Sequence, residues 1–318
     1  MVTLSKLSIK TPLGVFLCHT IGMKNTHMEH PEDTVLTGDL SVLNWFTSDS
    51  TISAKMDGAP AVVWGMNPAN GRFFVGTKSV FNKKKIKINH SHEEIDENHE
   101  GAVANILHAC FDYLPRTRRI IQGDFIGFGG DNCYQPNTIT YVFPGIVESE
   151  IIIAPHTLYH AEKDLRDAHS FPLDKRLPSN NDVLFVSPGV TIDDNHQIDD
   201  IQTVCNFARV MSTTVDFVDE KEAKIYQKEF NKCIRDGEEI IAEDYENVNL
   251  VRFWKLIQSI KLDLISYITD ESYINCFIDG EECDHEGYVM SNEFGTYKIV
   301  DREVFSHANF TMPKRWGQ

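Results

Sequence analysis

The spacing of apolar and polar positions changes twice along the chain. Between residues 36 and 150 apolar side chains come in short runs, rich in β-branched and aromatic residues and parted by Gly, Pro and Asn: TISAKM, AVVWGM, RFFVGTK, RIIQGDFIGF and TITYVFPGIVE. Such runs predict strands. NPANG (67–71) between two of them predicts a hairpin turn. One helix is expected over 93–114, where Val103, Ile106, Leu107, Cys110 and Phe111 recur at helical spacing. From 156 to 275 the pattern becomes helical, most clearly in NVNLVRFWKLIQSIKLDLISYI, which sets Leu250, Phe253, Trp254, Ile257, Ile260 and Leu264 on one side. β character returns in EGYVMS and GTYKIVD, and is expected in VFSHANF. The chain therefore reads as α+β. Residues 1–155 and 276–318 are expected to share one sheet domain, with 156–275 as a helical insertion. Two sequential domains is the other arrangement.

Composition narrows the class. An apolar fraction of 42% and a charged fraction of 24% over 318 residues are those of a globular chain. No run approaches the ~20 apolar residues of a membrane span, and MVTLSKLSIKTPLGVFLCH lacks the layout of a secretory signal. Seven scattered cysteines predict reduced thiols and a cytoplasmic location. A monomer is expected. The net charge of −17 opposes non-specific nucleic-acid binding. The charge is uneven, however. KSVFNKKKIKINH (78–90) is strongly basic, and 219–247 is acidic.

Against this background AKMDGAPAVV (54–63) sets a lysine in a mostly apolar run. A lysine snorkelling at a strand edge explains that plainly. The sharper reading makes Lys55 a nucleophile, which requires its pKa to fall from about 10.4 through burial and nearby cations. Three further stretches fit the sharper reading. GTKSVF carries Lys78 at a strand end. QGDFIGFGG carries Asp124 in an apolar strand before a glycine turn. HEGYVMSNEFGTYKIVD sets Glu286-Gly287 twelve residues before Lys298 across a hairpin.

Together these stretches resemble the covalent nucleotidyltransferase superfamily of ATP-dependent RNA and DNA ligases and mRNA capping enzymes. Lys55-Met56-Asp57-Gly58 matches its K-x-D-G motif, Gly123-Asp124-Phe125 its third motif, Glu286-Gly287-Tyr288-Val289 its E-G-x-[VI] motif, and YKIVD its last lysine-bearing strand. HMEHPEDTVL adds a looser similarity to ligase-like proteins of large tailed bacteriophages, which would place the chain in a host cytoplasm. The resemblance implies an antiparallel-sheet nucleotidyltransferase fold and an ATP-dependent RNA ligase acting through a lysyl-AMP on Lys55. It implies Lys55, Asp57 and Lys298 as catalytic residues. Gly58, Lys78, Asp124, Arg302 and either Tyr141 or Phe143 would hold the nucleotide, with one aromatic ring stacked on the base. Glu286 would hold Mg²⁺ or Mn²⁺. Lys83, Lys84, Lys85 and Lys87 would guide RNA bearing 5′-phosphate and 3′-hydroxyl ends.

The sequence departs from the family in places. Asp124 stands where glutamate is usual. Val300 replaces a second lysine, with Arg302 on the same face as its substitute. No C-terminal OB-fold is expected after Lys298. Two alternatives remain: a protein or small-molecule acceptor, and a nucleotide-binding protein without turnover. Cys276, Cys283 and His285 lack zinc-site spacing. GFGGD (127–131) reads as a β-turn, since no GK[ST] follows. THMEHPED (26–33) opens a helix with Pro31 in its first turn.

Overall fold

A computed structural model describes residues 23–24, 28–173, 175–192, 197–283 and 285–311. The class is α+β, built largely on antiparallel sheets. Nine strands matter most for the site: β1 (Thr51–Lys55), β2 (Ala61–Met66), β3 (Phe73–Gly76), β4 (Ile120–Phe128), β5 (Thr140–Val142), β6 (Ile151–His160), β7 (Asn275–Ile278), β8 (Gly287–Asn292) and β9 (Gly295–Ile299). Of the helices among the described residues, six concern the argument: α1 (Pro31–Thr34), α2 (His92–Asn98), α3 (Gly101–Tyr113), α4 (Gln197–Met211), α5 (Glu220–Asp236) and α6 (Val248–Ser266).

The largest sheet has seven strands, with β6, β4, β2 and β3 side by side and three short strands beyond β6. One face is closed by α2 and α3, whose Ile95, Ile106, Leu107 and Cys110 pack with Val62, Trp64, Ile121, Phe125 and Ile153. On its other face Asp124 lies between Gln122 and Ile126 on β4, following the two-residue period. A four-stranded sheet containing β5 and β7 packs there through Tyr141, Phe143 and Cys276 against Ile126, Ile152 and Ala154.

The third sheet is small: β9, β8 and β1 in that order. Its register pairs Gly287 with Lys55 and Val289 with both Ser53 and Lys298. Lys55 and Lys298 therefore share one face. The other face presents Tyr288, Met290 and Ile299 to the helices. There α4, α5 and α6 bury Ala208, Phe230, Leu250, Phe253, Trp254 and Ile257. Local sequence sets the ends of these helices. Asp219 caps α5 by accepting from Lys221 N and Glu222 N, and Gly237 ends it in the left-handed region at φ 71°. Asn247 caps α6.

Several expectations are corrected. The helix over 93–114 is two helices, broken at Gly101 (φ 61°), where a side chain would be strained. The expected helical insertion 156–275 is helical from Gln197 only. Residues 156–192 carry the rest of β6 and further short strands, because β6 pairs with β4 and runs through the supposed boundary. VFSHANF is helical rather than extended. Pro31 opens α1 with Glu32 and Asp33 in its first turn, while Thr26 and His27 lie outside the described residues.

Candidate functional site

The segment 56–60 leaves the small sheet at Lys55 and enters the large one at Ala61. It runs very close to β4. A Cβ on Gly58 would lie 2.7 Å from Asp124 Cβ and 2.8 Å from Phe125 O, so only glycine fits there. Ala59 N donates to Phe125 O and Phe125 N donates to Pro60 O, at 3.0 and 3.1 Å. Asp57 anchors the other side. Its carboxylate accepts from Asn137 Nδ2 at 2.7 Å, Thr138 N at 2.6 Å and Ile139 N at 3.0 Å, and its own N–H donates to Tyr141 Oη at 2.5 Å. Asp57 is buried and fully engaged. These bonds hold the turn that follows Lys55.

Lys55 Nζ contacts Glu286 Oε2. The contact follows from register, because Glu286 precedes Gly287, the partner of Lys55 across the ladder. Gly287 (φ 148°) leaves no room for a side chain, since a Cβ would lie 2.3 Å from Ile299 O. The Lys55 side chain is 31% exposed. Burial pulls its pKa down, but the charges of Glu286, Asp124 and Asp57 outweigh that, and Lys55 stays protonated more firmly than a free lysine. Burial raises the Glu286 pKa, and the pairing with Lys55 offsets only part of it. Asp124 titrates below the usual range: burial opposes this, but His156, Lys55 and Lys78 prevail. Lys298 is pushed down by burial and by the charge of Lys55. Three carboxylates, Glu286, Asp124 and Asp57, thus act on Lys55, while Lys78 and His156 act with Lys55 on Asp124.

Beside these groups lies a cleft of about 380 Å³ lined by Gly58, Ala59, Pro60, Ala61, Thr77, Lys78, Asp124 and Asn137. Lys78 is exposed and starts a short helical turn capped by Thr77. Lys83, Lys84 and Lys85 are exposed on the loop that follows, and Lys87 Nζ is tied to Asn98 O.

The structure thus brings together Lys55, Asp57, Gly58, Asp124, Glu286 and Lys298, with Lys78 on the adjoining cleft. Three expected residues stand elsewhere. Tyr141 is fully buried beneath Asp57, and Phe143 packs edge-on to Tyr134, so neither ring is open to a base. Arg302 is buried in the helical layer, bonded to Glu32 Oε1 at 3.2 Å, Asp33 Oδ1 at 3.0 Å and Asn231 Oδ1 at 2.6 Å. The strand ends at Ile299 and the chain turns into a helix, so counting by twos no longer gives the face.

Other contributors escaped the sequence reading. His156 Nε2 lies 3.5 Å from Asp124 Oδ2. A histidine following the apolar run 151–155 was the available signal. Asn137 sits in a Pro-Asn-Thr turn whose ordinary reading is a loop. Glu29 O accepts from Lys298 N at 3.2 Å, laying the entrance to α1 along β9. His285 reaches Cys276 Sγ at 3.4 Å and Asp270 Oδ2 at 2.7 Å, which ties the start of β8 to β7 just before Glu286.

No group of three or more His, Cys, Asp or Glu is arranged to hold a metal among the described residues. Magnesium needs less, because it keeps several waters and takes one or two carboxylates plus substrate phosphates. Glu286, close to Asp124, suits that need. No described helix is long and apolar enough to cross a membrane. A family model described as a family of unknown function, DUF6267, matches residues 25–244 and 238–314. Comparison with curated proteins and with solved structures returned no match.

Proposed function

We propose that this chain, which belongs to the DUF6267 family, is a covalent nucleotidyltransferase with the ligase adenylylation fold that joins RNA ends at the expense of ATP. One observation carries the reading. Lys55, Glu286 and Lys298 share one end of the small sheet, and the 56–60 turn presses against Asp124 beside an open cleft.

Each residue has its own part in the chemistry. The Lys55 lone pair attacks the α-phosphorus of ATP. A nitrogen–phosphorus bond forms, the bond to the bridging oxygen of the β-phosphate breaks, and pyrophosphate leaves with that electron pair. The amine's displaced proton goes to water. Lys298 supplies positive charge where the α-phosphate oxygens gain negative charge, and such preplaced charge is worth most in a partly dry site. Asp124 accepts a ribose hydroxyl, and Lys78 meets phosphate or ribose at the cleft. Asp57 and Gly58 keep the nucleophile's turn against β4. A magnesium or manganese ion bound at Glu286 would supply positive charge to the phosphates and take that carboxylate's charge away from Lys55. In the later steps a 5′-phosphate oxygen displaces Lys55 from the adenylyl phosphorus, and a 3′-hydroxyl then displaces AMP. The exposed Lys83–Lys85 loop supplies cations for that acceptor.

Mass spectrometry of the chain incubated with ATP and magnesium tests the reading. The expected result is one AMP on Lys55, by a bond labile to acid and stable to base, and none on Lys55→Ala. A label that survives Lys55→Ala, or no label with either ATP or GTP, overturns the reading. A label on Lys55 that does not pass to 5′-phosphorylated RNA shifts the acceptor to a protein or small molecule.

A further inference from the structure

Away from the Lys55 centre, α2 and α3 hold a second cluster with a symmetrical plan. His92 and Asp96 stand one turn apart on α2, and His108 and Asp112 one turn apart on α3. The pairs cross between the helices. His92 Nε2 meets Asp112 Oδ1 at 3.0 Å, and His108 Nε2 meets Asp96 Oδ1 at 2.9 Å. An ionised carboxylate can only accept, so each Nε2 carries the hydrogen. In neutral rings both Nδ1 atoms are then bare lone pairs, and these two atoms lie 2.7 Å apart. The rings are nearly parallel, at 21° with centroids 5.0 Å apart. Two lone pairs at that separation repel unless positive charge lies between them. An imidazole whose far N–H is held by a carboxylate is the standard support for a bound metal ion. Here that support occurs twice, with both free nitrogens converging.

We propose that His92 and His108 bind one divalent transition-metal ion of the imidazole-preferring class, zinc or nickel, through their Nδ1 atoms, with water completing its coordination. Two nitrogens at about 2.0–2.1 Å from one ion stand about 2.9 Å apart at a right angle and about 3.3 Å apart at the tetrahedral angle. The observed separation is a few tenths of an ångström shorter. The His92 and His108 side chains are 45% and 27% exposed, which leaves them room to part by that much. Asp96 and Asp112 supply two negative charges against the two positive charges of the ion. The edge of the Phe111 ring, 5.1 Å from the His92 ring, backs the site. The ion ties α2 to α3 on the back of the seven-stranded sheet and touches no residue of the Lys55 centre. Magnesium, which prefers oxygen ligands, does not suit two nitrogens.

Calorimetry with zinc and with nickel, run with magnesium in excess and with thiols blocked, tests the proposal. The wild-type chain is expected to take up one equivalent more of each ion than His92→Ala/His108→Ala. Asp96→Asn and Asp112→Asn are each expected to weaken that equivalent roughly 10- to 100-fold. Circular dichroism of the metal-free variants checks that they fold, and His92→Gln gives a milder replacement if the alanine pair does not. The proposal is overturned if wild type and variants take up the same number of equivalents. It is also overturned if wild type takes up neither ion, in which case the two rings share a proton. Neither result bears on Lys55 adenylylation.

Discussion

The large and small sheets meet at the 56–60 turn but are built on opposite plans. The seven-stranded sheet is dense and nearly continuous in its apolar residues, with β2 and β6 buried along most of their length. It is closed behind by α2 and α3 and gives the site one carboxylate, Asp124. The small sheet has only three strands, is less buried, and gives the site Lys55, Glu286 and Lys298. One central strand between two edges leaves an apolar face that another layer must cover. The helices of 197–266 supply the missing layer. The helical segment is therefore the back wall of the nucleophile's sheet, and the reactive groups on its front depend on that packing.

The largest effect that separates the two halves is expected inside the helical layer. Lys261 Nζ lies 2.6 Å from Glu32 Oε1, both side chains are fully buried, and Arg302 joins the same oxygen. Removing one partner leaves a buried charge unpaired, which costs about 3–5 kcal/mol. Glu32→Ala should therefore lose that much in urea unfolding and most of the Lys55 label with it. Leu107→Ala behind the large sheet should cost a similar ~2–5 kcal/mol, but should spare more of the label in the fraction that stays folded. Equal losses of label per folded chain would mean that the back wall carries no special weight for the small sheet.

Next in size are the charges on the small sheet. Glu286→Ala and Lys298→Ala should each slow adenylylation by about 10²-fold or more in single-turnover labelling. Lys298→Arg should recover only part of that, since a planar guanidinium does not reproduce a compact ammonium. Full rates in both alanine variants would mean that the small sheet supplies the nucleophile and nothing else.

A pH series sharpens the comparison further. The raised pKa of Lys55 means that its pairing stabilises the fold in full below the unfolded lysine value of about 10.4 and is lost as pH rises through the folded value. The attacking amine appears over the same range, so labelling should accelerate with alkaline pH. Glu286→Gln removes the leading charge that raises the Lys55 pKa, so its rate should climb at lower pH than wild type, even at a lower ceiling. An unmoved profile would separate Glu286 from the protonation of Lys55.

The smallest effect on the first chemical step is expected from the basic loop. Replacing Lys83, Lys84, Lys85 and Lys87 with glutamine should leave labelling of Lys55 nearly intact. It should reduce the salt dependence of RNA binding by up to about 0.7 in log–log slope for each RNA phosphate that is no longer neutralised. Filter binding over a salt series reads this directly, and an unchanged slope would remove the loop from the acceptor path.

Much of this arrangement was legible because its signals are local. Short runs with β character marked β1, β8 and β9, and the hairpin between β8 and β9 placed Glu286 and Lys298 at fixed register. Signals that depend on distant partners were not legible. Tyr141 and Phe143 look alike in sequence, and only the pairing of β5 with β7 sends both into the core. Arg302 lies two residues past Val300, yet the end of β9 turns it towards Glu32. β6 was not read as a strand, because its polar half beyond Pro155 breaks off the apolar run that opens it. Asn137 and Thr138 hold Asp57 from a turn 80 residues away, a distance no periodicity spans.

The pairing of β1 with β8 bears on how the chain comes into being. Lys55 emerges from a ribosome early, whereas its ladder partner Gly287 follows more than two hundred residues later. Contacts so far apart in sequence form only after the intervening chain is available to close, and they form slowly. Throughout synthesis the nucleophile strand waits without the neighbours that set its charge. On the proposed reading, a nascent or interrupted chain carries the lysine without the means to use it, and labelling of Lys55 would require translation past residue 298. Ribosome-bound chains stalled at residue 270 should take no label from ATP, while released chains that include residues 1–318 should.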